Sequence, residues 1–225
     1  MTILESHRIL IGACGWLHDN WQENFYPEDL PQDWYIGYYG NEFSVVLVSD
    51  KEWQQGGSVE EWLEETDDTP AFICELPLQD VKQDVLQHAE QYLTAAGKMA
   101  ERCIGIVCHV NNVVSTEELK DLLQACQAIA PTVLAMDDAP QQVQTLLDEL
   151  RVNPLWSSAE DNNDSGGSLY IARLDSSQLK LLGLRKSMEN LLARQSDQSM
   201  LVLLIDGENP DMEIIKQAKI MLDLI

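Results

Sequence analysis

The stretch Ile11-Gly12-Ala13-Cys14-Gly15-Trp16 completes an apolar run that begins at Ile9. A short apolar run that ends in a glycine-flanked turn predicts a buried strand, and the aromatic residue after the turn marks the place where that strand opens onto a rim. We therefore predict that this stretch forms the first strand of a sheet and the turn that follows it.

Apolar runs of the same kind recur along the rest of the chain. They cover residues 43–48, 71–76, 104–110, 132–136, 169–174 and 200–205, and a weaker run covers 153–156. The runs are continuous rather than alternating, which is typical of strands that are covered on both faces. The pattern therefore favours a parallel sheet of about eight strands.

Amphipathic helical windows separate these runs. They cover residues 59–64, 81–99, 117–129, 141–150, 178–192 and 212–222. Ser58-x-x-Glu61 and Ser115-x-x-Glu118 match the capping box that begins a helix. Alternating strands and helices indicate an α/β fold, either a doubly wound sheet or a barrel, and the strand count favours a TIM-type (β/α)8 barrel. We expect residues 1–225 to form a single domain of this kind.

Residues 157–168 interrupt the alternation, because they are polar, contain two glycines and show no helical periodicity. Such a segment predicts a loop. The loop stands where the sixth helix of the barrel would be, so we expect an irregular barrel in which that helix is shortened or missing. We also expect the loop to be mobile.

Composition excludes several classes of partner. The 225 residues include 38 acidic and 14 basic side chains, a formal net charge of −24, which repels a nucleic-acid backbone. No run approaches the roughly 18 apolar residues of a membrane span, and residues 1–8 lack a secretory signal, so we expect a cytoplasmic protein. The acidity itself fits solubility, a salt-rich habitat or a surface for a basic partner or cations.

The five cysteines are odd in number and contain no C-x-x-C pair, which predicts reduced thiols. Cys14 is the one closest to a predicted rim. A buried and unreactive thiol is the expected state for it, rather than a nucleophile.

The opening of the chain resembles that of the YecE-like family, a domain of unknown function. The matching residues lie between positions 9 and 45 and are Gly12, Gly15, Trp16, Trp21, Phe25, Tyr26, Pro27, Leu30, Pro31, Tyr39 and Phe43. The resemblance implies a TIM-type barrel and no settled reaction.

Several rim positions depart from the family pattern that the resemblance implies. Glu75 stands where a lysine is common, Asp175 replaces a histidine, and Asp206 lies where the family has an asparagine pair, whereas Arg173 is retained. We therefore interpret the chain as a divergent member that keeps the fold while its pocket is re-purposed or abandoned.

Candidate functional residues follow from the barrel, because functional groups cluster at the carboxyl ends of its strands. The candidates for catalysis or for a divalent metal are Glu75, His109, Asp137 and Asp206. Oxygen and imidazole ligands suit such a metal, while paired carboxylates suit acid–base chemistry on sugars. Helix capping is the competing explanation for aspartates after strands, and a core position is the competing explanation for His109.

The candidates for ligand binding are aromatic residues of the first loop and one arginine, namely Trp16, Trp21, Tyr26 and Arg173. Packing of the first helix is the competing explanation for the aromatic residues. Two functions remain open. The first is a protein without its family's chemistry that binds a small polar ligand or a protein partner, and the second is a cation-assisted or carboxylate-mediated hydrolase or isomerase.

Overall fold

The computed structural model describes residues 9–110 and 115–224. Within these ranges eight strands are found, namely β1 (Leu10–Cys14), β2 (Val45–Val48), β3 (Ala71–Leu78), β4 (Cys103–Val110), β5 (Thr132–Ala135), β6 (Asn153–Pro154), β7 (Leu169–Asp175) and β8 (Met200–Asp206). Neighbouring strands pair in parallel in the order β6-β5-β4-β3-β2-β1-β8-β7.

The two ends of this sheet meet at Trp156. A parallel bridge links Trp156 to Ala172. The Trp156 amide donates to the carbonyl oxygen of Ile171 at 3.0 Å, and the Arg173 amide donates to that of Trp156 at 2.8 Å. These contacts nearly close the sheet into an eight-stranded barrel, which confirms the predicted TIM-type fold.

Helices connect the strands on the outside of the barrel. The α-helices in the described ranges are α1 (Trp21–Asn24), α2 (Tyr35–Glu42), α3 (Asp50–Gln55), α4 (Val59–Glu65), α5 (Val85–Lys98), α6 (Thr116–Gln127), α7 (Gln141–Leu150), α8 (Leu181–Leu192) and α9 (Met212–Leu222). The predicted capping boxes at Ser58 and Ser115 begin α4 and α6. No helix in the described ranges is both long and apolar enough to cross a membrane.

Residues 157–168 contain no helix, so the sixth helix is missing as the sequence predicts. Hydrogen bonds hold the loop instead. The Asp161 carboxylate accepts from the amides of Ser157 and Ser158 at 2.7 and 2.8 Å, and the Asn190 side chain on α8 donates to the Ala159 carbonyl at 3.2 Å. These contacts tie the loop to α8 and give its predicted mobility no support.

Two apolar regions fill the fold. A smaller one occupies the inside of the barrel, where alternate side chains of the strands meet, and a larger one lies between the sheet and the helices. All five cysteines are buried and free. Because the inside is packed with apolar side chains, the charged side chains of the inward face lie at its carboxyl-terminal end, the mouth of the barrel.

Candidate functional site

Four polar side chains form a cluster at the mouth of the barrel. Each stands two residues after an apolar residue that fills the interior, so alternation along its strand directs it inward above that filling. We name this group the mouth cluster, and its members are Glu75 on β3, His109 on β4, Arg173 on β7 and Asp206 on β8.

Arg173 joins the two carboxylates of the mouth cluster. Its Nη1 donates to Glu75 Oε1 at 2.6 Å and its Nε donates to Asp206 Oδ2 at 2.7 Å. His109 Nδ1 lies 3.1 Å from the same Glu75 Oε1. The exposed fraction of the side chain rises from 7% at Glu75 through 21% at Arg173 and 30% at Asp206 to 37% at His109. Glu75 is therefore the floor of the cluster, and His109 is the member most open to solvent.

Burial and the neighbouring groups act in opposite directions on the pKa values of Glu75 and Arg173. Burial alone would raise the pKa of Glu75, but the hydrogen bond with His109 and the charge of Arg173 outweigh burial and lower that pKa. Burial would lower the pKa of Arg173, but the groups around it raise that pKa. The largest of these effects comes from Cys14, followed by Glu75 and Asp206. Glu75 is therefore an ionised carboxylate at neutral pH, paired with a permanently charged guanidinium.

Cys14 ends β1 on the inner face of the barrel and is buried. Burial raises the pKa of its thiol well above the usual value, and the nearby Arg173 only partly offsets this effect. The thiol is therefore neutral at physiological pH, in agreement with the buried, unreactive state that the sequence predicts.

The metal hypothesis gains no support from the described residues. Among them, no group of three or more His, Cys, Asp or Glu side chains is placed to hold a metal ion. The Arg173 guanidinium, itself a cation, already contacts one carboxylate oxygen of Glu75 and one of Asp206. Asp137 is exposed, and no hydrogen bond or ion pair joins it to another described residue. The fold thus brings together three of the four predicted residues and leaves out Asp137.

The aromatic candidates are buried below the surface of the mouth. The exposed fractions of Trp16, Trp21 and Tyr26 are 1%, 1% and 4%. Tyr26 Oη donates to the Trp16 carbonyl oxygen at 2.8 Å, and Trp21 Nε1 donates to the Pro210 carbonyl oxygen at 2.9 Å. These contacts fix the loops around the barrel mouth, and a role of the three rings in ligand binding stays a prediction. Arg173 is the ligand-binding candidate that reaches the mouth.

Glu52 on α3 is a buried acid that the sequence analysis did not single out, with an exposed fraction of 1%. One carboxylate oxygen accepts from the amides of Trp16 and Leu17 at 3.2 and 3.3 Å, and the other accepts from the Ser49 amide at 3.2 Å and from the Ser49 hydroxyl. Glu52 thereby joins the loop after β1 to the start of α3. The pattern Ser49-x-x-Glu52 is a capping box and was the signal for it.

We expect Glu52→Ala to lower the free energy of unfolding by about 2–3 kcal/mol, because buried amides that lose their acceptor cost roughly 1–3 kcal/mol in such sites. Thermal and urea unfolding followed by circular dichroism measure the loss. The matched control is Glu61→Ala, which removes the same capping-box carboxylate at the exposed start of α4, where a loss near 1 kcal/mol or less is expected. Equal losses in the two variants would show that burial of Glu52 contributes nothing.

A comparison with protein families gives one match. The family model described as Protein of unknown function DUF72 matches residues 10–155. This range covers β1 to β6 and contains Glu75 and His109, whereas Arg173 and Asp206 lie beyond it. No curated protein and no solved structure matches the chain.

Proposed function

The chain belongs to the YecE-like DUF72 family of proteins of unknown function, and on that premise we propose that residues 1–225 form a single, divergent barrel domain that binds a small polar molecule at the mouth cluster. The observation that carries this proposal is the position of Arg173. Its guanidinium is fixed by Glu75 and Asp206, so that it is held ready to bind without further ordering. A fixed and partly exposed guanidinium at the mouth of a barrel is a typical anchor for a polar ligand.

The charges of the mouth cluster indicate an uncharged ligand. Glu75 and Asp206 carry two negative charges against the one positive charge of Arg173, and the chain has a net charge of −24. A phosphate or another strong anion is therefore repelled from the mouth. Within the described ranges, Asp206 Oδ1 accepts no hydrogen bond and Arg173 Nη2 donates none. Hydroxyl groups both donate and accept, so they suit this mixed set of groups.

The enzyme alternative is favoured by one observation, the hydrogen bond between His109 and Glu75. The version in which two carboxylates hydrolyse a glycosidic bond is not favoured. That chemistry requires one carboxyl group with a raised pKa that donates a proton. The pKa of Glu75 is lowered instead, and Arg173 occupies an oxygen of each carboxylate.

A protein partner for the acidic surface stays a prediction.

We expect saturation-transfer NMR to detect binding of neutral polyols and pentoses, but not of their phosphates, to the wild-type protein. Asp206→Asn keeps an acceptor oxygen but loses its charge. It should weaken this binding about tenfold, since a hydrogen bond to a charged group contributes about 1.5–3 kcal/mol and an uncharged one about 0.5–1.5 kcal/mol. The matched control is Asp121→Asn on the exposed face of α6, which should bind like the wild type.

Two results would contradict this proposal. One is binding that departs from the expected selectivity, either as tight in Asp206→Asn as in the wild type or dependent on a phosphate group. The other is a stoichiometric metal, found by elemental analysis of the purified protein and released by Asp206→Asn, which would favour the cation-assisted alternative.

A further inference from the structure

We infer that His109 is the base of a proton-transfer site whose substrates are small, neutral α-hydroxycarbonyl compounds held at the mouth cluster. The inference rests on the proposed ligand site and adds an activity to it. It is carried by two contacts that meet at one atom, because Glu75 Oε1 lies 3.1 Å from His109 Nδ1 and 2.6 Å from Arg173 Nη1.

The first contact fixes the tautomer of His109. An ionised carboxylate can only accept hydrogen bonds, so the ring nitrogen that faces Glu75 must carry the hydrogen. In the neutral imidazole the lone pair therefore lies on Nε2, on the side of the ring away from Glu75. The side chain of His109 is 37% exposed, whereas that of Glu75 is only 7% exposed. The imidazole of His109 is therefore more accessible to a molecule at the mouth than the carboxylate of Glu75.

The second contact places a cationic donor beside that base. Arg173 shares Glu75 Oε1 with His109, so the imidazole and the guanidinium are neighbours at the mouth. Nη2 of Arg173 donates to no described residue and is free to donate to a ligand oxygen. A base next to a fixed donor is the arrangement required to remove a proton from carbon, because the donor stabilises the negative charge that develops on the carbonyl oxygen.

The reaction needs no oxidant and no external group. His109 Nε2 takes the hydrogen from the carbon that bears the hydroxyl group, the electron pair of that C–H bond forms a C=C bond, and the carbonyl pair moves onto oxygen beside Arg173. The proton held by His109 exchanges with solvent, and return of a solvent-derived proton to the same carbon completes the hydrogen exchange. Return to the neighbouring carbon gives the isomer, if the hydroxyl hydrogen also crosses to the former carbonyl oxygen.

Other groups near the mouth are less suited to act as the base. His18 is buried, its Nε2 lies 2.9 Å from the Cys14 carbonyl oxygen, and burial lowers its pKa. The Cys14 thiol is buried, and burial raises its pKa. His109 therefore combines accessibility with a hydrogen bond that orients it.

The test follows deuterium uptake by dihydroxyacetone and glyceraldehyde in D₂O, measured by proton NMR with the full chain. We expect uptake above a buffer blank containing imidazole at the same concentration as the protein. His109→Gln should lower the rate by about 100-fold or more, the usual contribution of a general base. The matched control is His88→Gln on α5, an exposed histidine that should leave the rate unchanged. Melting curves of both variants check that they fold.

The outcomes separate this inference from the proposed function. In one outcome, neutral polyols bind in an Asp206-dependent way but dihydroxyacetone and glyceraldehyde take up no deuterium. This result would overturn the proton transfer and leave the proposed ligand binding intact. Uptake that survives in His109→Gln would remove His109 from the reaction. Nitrogen-15 NMR of the histidine rings gives an independent check, because a His109 ring that carries its hydrogen on Nε2 at neutral pH would also overturn the inference.

Discussion

Replacing Gly12 by alanine is expected to prevent the barrel from forming. A Cβ atom at this position would lie far inside contact distance of the Val45 carbonyl oxygen and 2.9 Å from Tyr39 Oη. Neither neighbour is free to move away. Tyr39 Oη donates to that same carbonyl oxygen at 2.9 Å and accepts from the Ala13 amide at 2.8 Å, and β1 pairs with strands on both sides. The added methyl group must therefore push apart the seam between β1 and β2.

The loss should exceed the 1–3 kcal/mol that is usual for an overpacked core, because backbone rather than a side chain is displaced. Since domains of this size are stable by only about 5–15 kcal/mol, we expect little folded protein. Circular dichroism and the soluble yield measure the effect. The matched control is Gly97→Ala in α5, where no atom lies within 4 Å of the added Cβ and a gain of about 0.5–1 kcal/mol is expected. A Gly12→Ala protein that melts like the wild type would contradict the argument.

Replacing Arg173 by methionine is expected to cost about 3–5 kcal/mol of stability and to abolish ligand binding at the mouth. The variant leaves the buried carboxylate of Glu75 without its cation, and an unpaired buried charge has roughly this cost. The matched control is Arg185→Met, which breaks the exposed pair between Arg185 and Glu189 on α8 and should cost less than about 1 kcal/mol.

The pH dependence of the Arg173 variant carries the sharper test. In the wild type the folded-state pKa of Glu75 is lowered, so the contribution of its carboxylate is present above the unfolded-state pKa and is lost as pH falls through the folded-state pKa. In the Arg173 variant, burial still raises the pKa of Glu75, but the guanidinium charge that lowers this pKa in the wild type is gone. The cost of keeping the carboxylate ionised then grows as pH rises. The gap in melting temperature between variant and wild type should therefore narrow as pH falls toward about 4.

The double variant Arg173→Met with Glu75→Gln should recover part of the lost stability at neutral pH, because no charge is then left buried. Thermal unfolding between about pH 4 and pH 8 measures both effects. A gap that stays constant across this range, or a double variant no more stable than Arg173→Met alone, would show that the charge of Glu75 is not what Arg173 stabilises.

Much of the fold follows from local sequence patterns. The continuous apolar runs predicted the strands because a strand inside a parallel barrel is covered on both faces. The polar segment 157–168 predicted the missing helix because it lacks any 3.6-residue periodicity. Short α3 was missed, since Asp50–Gln55 has six residues and too few turns to show a period. Its capping box at Ser49 was a local signal, but the bonds from Glu52 to the loop after β1 depend on tertiary structure.

The sequence by itself determined the order of the strands, the helices from α4 onward and the type of barrel, because apolar periodicity and helix capping act over a few residues. It also named the polar residues at the strand ends. Only the tertiary structure decided which of these residues meet. Arg173 and Glu75 are 98 positions apart in sequence and stand on strands four steps apart around the sheet, so closure of the barrel brings them together across its mouth. Asp137 follows β5 at the same end but remains exposed to solvent, because pairing across the mouth depends on the direction and reach of each side chain, which local pattern does not encode.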